Sequence, residues 1–253
     1  MKFLRILAIV ALCVSCDKKE IEEPSTFVTI QFSHNWNGTA VSKTDFNTVK
    51  FVNAHGTTLS IERFRYLVSN VILTNTENQS IKIKGHNLVD IGEESGLSFQ
   101  SDSAIPQGNY KLSFTFGFND TDNTDAAYQD LNSVSFNVPG MLGGGYHFMQ
   151  FDGKYAVTNS TPANFNYHVI RAVNRADPAN LVFQDTSFKV DLGTVTIKNN
   201  AIVAIKMNIS EWFKNPNTWD LNVLNTVLMP NFNAQLLMSA NGKSVFSLGT
   251  VTP

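Results

Sequence analysis

A chain of 253 residues with 43% hydrophobic content and nineteen Phe has material for one large core, and its charged fraction is a modest 16%. A net charge of −2, with no concentrated basic patch, excludes a nucleic-acid surface. Abundant Asn, with short runs of Val, Ile, Phe and Thr broken by Asn, Gly and Asp turns, is the composition of a β protein.

Lys2 and Arg5 precede an apolar run over 6–14 that ends at Ser15-Cys16. A basic start, a short apolar stretch and a small residue at the cut describe a secretory signal peptide. The run is too short for a bilayer-spanning helix. Cys16 directly after Ser15 resembles a bacterial lipobox, so 1–15 is expected to be a lipoprotein signal peptide and Cys16 the lipidated first residue. Cys13 stands where Leu is commoner in that pattern. Cleavage removes Lys2 and Arg5, which leaves the mature chain two units more negative than the full chain's −2. Cys13 is lost with the signal and Cys16 carries lipid, so neither a disulfide nor a thiolate metal site is expected. Residues 16–26, with the charged run DKKEIEEPS, read as a tether that holds the domain off a membrane. The address is the cell envelope, as an outer-membrane lipoprotein facing the periplasm or the surface.

The domain proper is expected over 27–253. Period-two alternation predicts strands at 27–34, 49–52, 58–61, 66–74, 80–84, 108–118, 133–138 and 146–151. The same pattern continues at 164–172, 187–198, 201–209, 232–237 and 244–248. Asn199-Asn200, between two long alternating runs, predicts a tight hairpin. Short helices are expected at 126–131 and 210–214, the second limited by Pro216. This many short strands predict an all-β fold, an antiparallel β-sandwich or related barrel with one or two short helices.

The residues with metal chemistry cluster in one stretch. Between Pro139 and Ile170 lie His147 and His168, two of only five histidines, each in an aromatic strand-like run. Gly143, Gly144 and Gly145 precede the first and permit backbone conformations closed to other residues. Neutral imidazole and thioether sulfur both suit copper(I). In an extended strand His147 and Met149 share a face, so Met149 is a candidate neighbour or ligand, against the plainer reading of a core methionine. His55 and His86 sit beside glycines in expected turns and are read as exposed. The carboxylates of Asp120, Asp122 and Asp125 lack the glycine and glutamate of a calcium loop and read as a solvated turn. No nucleophile elbow, zinc helix or phosphate loop occurs, so no enzyme activity is expected.

The run from Ile61 to Leu73 is followed by Leu88-Val89-Asp90, Ile105 through Tyr110, and Phe114 through Phe118. Gly140-Met141, Gly145-Tyr146, Phe148 through Gly153, and Phe165 through His168 come next. Trp212-Phe213, Trp219-Asp220-Leu221, Ala234-Gln235, Asn241-Gly242 and Phe246-Ser247-Leu248 complete the series. In this order and spacing, 27–250 resembles the MbnP-like family of secreted copper-binding proteins. The resemblance implies a mostly β domain with a mononuclear copper site (Cu⁺ or Cu²⁺) built from histidines. In some relatives an oxidised tryptophan adds a ligand or neighbour. The positions it matches are His34 and His168, with His147 after the Gly-Tyr pair, where a basic residue is common. Trp36 is the tryptophan nearest a matched ligand. Many relatives carry Trp-x-Trp between Met141 and Tyr146, where this chain has Leu142 and three glycines. An outer-membrane transport protein is the expected partner. The alternative is a metal-free structural or interaction lipoprotein that binds a protein or glycan through exposed aromatics such as Trp212 and Trp219. The copper reading requires His34 and His168 nitrogens within about 4–5 Å of each other. Separation by the width of a sandwich, about 10 Å, favours the alternative.

Overall fold

The computed structural model describes residues 24–253. The expected signal peptide and Cys16 lie outside the described residues. Ser25–Thr26 pair with Ile105–Pro106, so the end of the expected tether already belongs to the fold.

Two curled sheets face each other. The larger has eight strands in the path Phe188–Ile197, Gly108–Phe116, Arg63–Thr74, Met149–Tyr155, Thr58–Leu59 and Phe51–Val52, with Ala163–Val169 added beside Met149–Tyr155 and Ser80–Asp90 beside Arg63–Thr74. The smaller has five, in the path Phe246–Thr252, Ile202–Asn208, Thr29–Trp36 and Thr39–Ala40, with Ser98–Gln100 on Thr29–Trp36. All pairs are antiparallel except Ile202–Asn208 with Thr29–Trp36, which is parallel. The expected all-β sandwich is therefore the observed architecture.

Strand parity dictates the core. Ile30, Phe32, His34 and Trp36 alternate inward from the smaller sheet and are buried. Phe64 and Tyr66 do the same from the larger, as do Tyr110, Leu112, Phe114 and Phe116. Phe32 and Tyr66 meet edge-on with ring centres 6.2 Å apart, and Phe114 meets Phe246 at 5.0 Å. Such aromatic pairs bind the layers by buried area and by ring geometry.

Three local expectations fail for physical reasons. Asn199-Asn200 does not close a hairpin: the strand before it pairs with Gly108–Phe116, the one after it with the other sheet. The turn carries the chain between layers, anchored by the Asn200 amide donating to Thr26 Oγ1 at 2.6 Å. The segment expected as a strand at 232–237 is part of a helix, Phe232–Gly242, capped where Asn231 Oδ1 accepts the Ala234 amide. Its buried residues Ala234, Gln235, Met238 and Asn241 follow helical spacing. Residues 133–138 form no strand beyond one bridge, Asn137 to Tyr146.

Those residues belong to a cover. From Gly117 to Phe148 the chain lies over the outer face of the larger sheet. Gly117 is pinned there by its amide to the Leu67 carbonyl and its own carbonyl to Ser69. Phe118, Tyr128 and Tyr146 pack on one another and on His86. His86 is thus a half-buried strand residue that contacts Asp130 at 2.8 Å, not an exposed turn residue. His55 is exposed, as expected.

Candidate metal centre

Register decides which histidines can meet. His168 on Ala163–Val169 pairs with Gln150, and Gln150 pairs with Arg65. Directly paired residues project to the same face. Arg65 Nε donates to Gln150 Oε1 at 2.6 Å on the outer face, under the cover. The neighbouring positions Tyr167, Phe151 and Phe64 form the corresponding inner row. His34 lies with that inner row: its Nε2 is 2.9 Å from the Tyr66 hydroxyl, and its ring is 6.5 Å from Phe64. The expected His34–His168 pair is not formed, because the larger sheet separates them. Trp36 shares the inner face with His34, packs on Phe51 and Phe213, and donates to the Val52 carbonyl at 3.0 Å. It is not a neighbour of His168.

His147 and His168 do meet. Their ring centres are 5.3 Å apart and their planes nearly perpendicular at 84°. The strand expected from Tyr146 begins only at Met149, after a bend at Phe148. That bend breaks the alternation, so His147 turns toward His168 while Met149 pairs with Tyr66 on the inner side. Met149 is core, fully buried. The three glycines set the approach to His147. Gly145 has φ +78°, and a Cβ there would stand 2.6 Å from Asn123 Oδ1, which accepts the Tyr146 amide. Only glycine allows that close passage.

The sulfur beside His147 comes from Met229, with Sδ 3.2 Å from His147 Nε2. His147 Nδ1 lies 3.0 Å from the Phe136 carbonyl, which can only accept, so Nδ1 carries the proton and Nε2 is bare. Burial, with a smaller contribution from His168, lowers the His147 pKa to about 4. The ring is therefore neutral, the form that ligates metal. His168 Nε2 donates to Asp152 Oδ1 at 2.7 Å, which directs Nδ1 to be its free nitrogen. Asp152 is also held by Asn166 at 2.7 Å and Arg63 at 3.3 Å. Burial pushes the Asp152 carboxyl up, but the His168 hydrogen bond and charge, with Asn166 and Arg63, outweigh it and leave the pKa low. Asp152 thus stays an acceptor for His168.

One buried amide ties the segments together. Gln235 Nε2 donates to the His168 carbonyl at 2.9 Å and to the Leu228 carbonyl at 3.0 Å, while its Oε1 accepts the Ile170 amide at 2.8 Å. It fixes the His168 strand and the Met229 loop to one helix. Sequence reasoning missed Met229, Asp152 and Gln235. Asp152 was findable, since it lies on the outward parity of the strand that pairs with His168. Met229 sits in a loop without periodicity, and nothing local marks it.

The spacing of His147 and Met229 is compatible with one small ion. Bonds of about 2.0 Å from imidazole nitrogen and about 2.3 Å from sulfur let two such donors lie up to roughly 4.3 Å apart, and the observed N···S distance of 3.2 Å is within that. Among the described residues no three His, Cys, Asp or Glu side chains gather as a metal-binding group. The four-ligand sphere of structural zinc is therefore not offered.

A sequence model of the MbnP family matches residues 25–230. The chain belongs to the MbnP family. The fold agrees: MbnP from Methylosinus trichosporium superposes with a TM-score of 0.56 at 12% identity, covering 89% of this chain and 99% of that one. No curated protein sequence matches.

Proposed function

We propose that this MbnP-family protein is a lipid-anchored envelope protein that holds one copper ion between His147 and His168 and passes it on, without turnover. The observation that carries the reading is the meeting of two imidazoles on the outer face at 5.3 Å, one neutral by burial with Nε2 bare. Copper(I) accepts two or three donors and binds imidazole nitrogen well, and the pair supplies two such rings. The copper would bring affinity for a thiol- or imidazole-bearing acceptor; the chain's own residues orient the rings and shield them from water. Anchoring rests on Ser15-Cys16, with an outer-membrane transport protein as the receiving partner. Among the described residues no helix is long and apolar enough to cross a membrane.

The metal-free interaction reading loses its main support. Trp212 and Trp219 are both buried, at 0% and 1% exposure, and are not open to a glycan.

Competition of the purified protein with a chromophoric copper(I) chelator tests the proposal. One equivalent is retained by the parent chain and none by His147→Ala/His168→Ala. Equal retention by both would remove the site. Labelling with a radioactive fatty acid, compared with Cys16→Ala, tests the anchor; label on the variant would refute it.

A further inference from the structure

We propose that the Met229 thioether is a metal ligand, the third donor of this site and the group that selects a soft monovalent ion. The inference rests on the copper reading and goes beyond it.

Four observations carry it. First, the contact between His147 Nε2 and Met229 Sδ, at 3.2 Å, joins two acceptors. The His147 proton is on Nδ1, committed to Phe136, and a thioether has none. Neither atom has a hydrogen to offer the other, so the contact is not a hydrogen bond; an ion beside the pair, about 2.0 Å from the nitrogen and about 2.3 Å from the sulfur, would bind both. Second, the placement of Met229 is built. Gln235 grips the carbonyl of Leu228, the preceding residue, with the same nitrogen that grips His168. Val227, a β-branched residue, takes φ +57° on the way into this turn. Third, Met229 differs from the core methionines. Met149, Met207 and Met238 are at most 1% exposed, whereas Met229 is half-buried at the edge of a small apolar cluster formed by Val138, Leu142, Ile170 and Val173. Fourth, the donor set contains no carboxylate and is soft. Two imidazoles and a thioether favour copper(I) or silver(I) over zinc, magnesium or calcium.

The test uses the full chain loaded anaerobically with copper(I), read by X-ray absorption at the copper edge. The expected spectrum has one sulfur scatterer at about 2.3 Å beside nitrogen scatterers at about 2.0 Å. In Met229→Leu, close in volume, the sulfur disappears, the nitrogens remain, and copper(I) affinity falls by roughly 10–100-fold. In parallel, silver(I) added to ¹³C-methyl-methionine protein shifts one methyl signal of the six methionines, the one missing in Met229→Leu. A parent spectrum with nitrogen alone, or a variant that binds as tightly as the parent, overturns the Met229 assignment and leaves the histidine site standing. Protein that takes up no copper overturns both. The parent spectrum decides even if the variant does not fold.

Discussion

The two faces of the larger sheet treat histidine in opposite ways. Inside, His34 is enclosed by Phe64, Tyr66 and their neighbours, with one hydrogen bond to a hydroxyl at 2.9 Å. Outside, His147 and His168 each have one nitrogen fixed by an acceptor, Phe136 O and Asp152 Oδ1, which leaves the other free. Burial lowers the pKa of both His34 and His147 to about 4, so both rings are neutral near pH 7. Neutrality alone therefore does not make a ligand. What separates the faces is whether a second donor is aimed at the bare nitrogen.

Substitutions on the two faces should separate copper binding from stability. The largest effect is expected outside: His147→Ala/His168→Ala should lower copper(I) affinity by more than the roughly 10–100-fold that partners of ligands contribute, while His34→Ala keeps the parent affinity. Copper loss in His34→Ala at intact fold would reverse the assignment of the faces. Next comes Asp152→Asn, which removes the charge that orients His168 and should weaken copper by about 10–100-fold. Unchanged affinity in chelator competition would show that Arg63 and Asn166 hold nothing of consequence through it.

Inside, His34→Ala leaves a void and strands the Tyr66 hydroxyl among aromatic rings. Urea unfolding should register a loss of about 2–4 kcal/mol; a loss below about 0.5 kcal/mol, the range of surface changes, would mean that the inner histidine is not packed as described. The last effect is one of pH, and it is graded rather than all-or-none. The unfolded His34 ring gains a proton near pH 6.5, whereas the folded one resists until about 4. Stability is therefore complete above 6.5 and falls as pH drops toward 4, by about 1.4 kcal/mol per pH unit for each such group. His34→Gln should flatten the metal-free protein's profile in that window, and an unaltered slope would contradict it.

Much of this division was legible in the sequence. His34 shares its parity with Ile30, Phe32 and Trp36, an apolar row. His168 alternates with Phe165, Tyr167 and Val169 and shares its parity with Asn164 and Asn166. The rows alone place the two rings on faces of different character. The family resemblance, which matched His34 with His168, pulled against that parity. Periodicity was blind elsewhere. The bend at Phe148 reverses the alternation expected to join His147 to Met149. Buried Gln235 and Asn241 hid a helical pattern by being polar at core positions, where their amides are satisfied by backbone partners. The turn at Asn199-Asn200 has hairpin residues, but strand pairing across the whole chain sends its two arms to different layers.

The Gln235 clamp has one more consequence. The three proposed donors come from positions 147, 168 and 229, far apart in the chain, and only the finished tertiary structure draws them together. An unfolded chain has no preassembled site, so each captured ion adds RT ln(1 + [ion]/Kd) to the folded side of the balance. With no cysteine among the described residues to cross-link the domain, the cargo would serve as a removable brace.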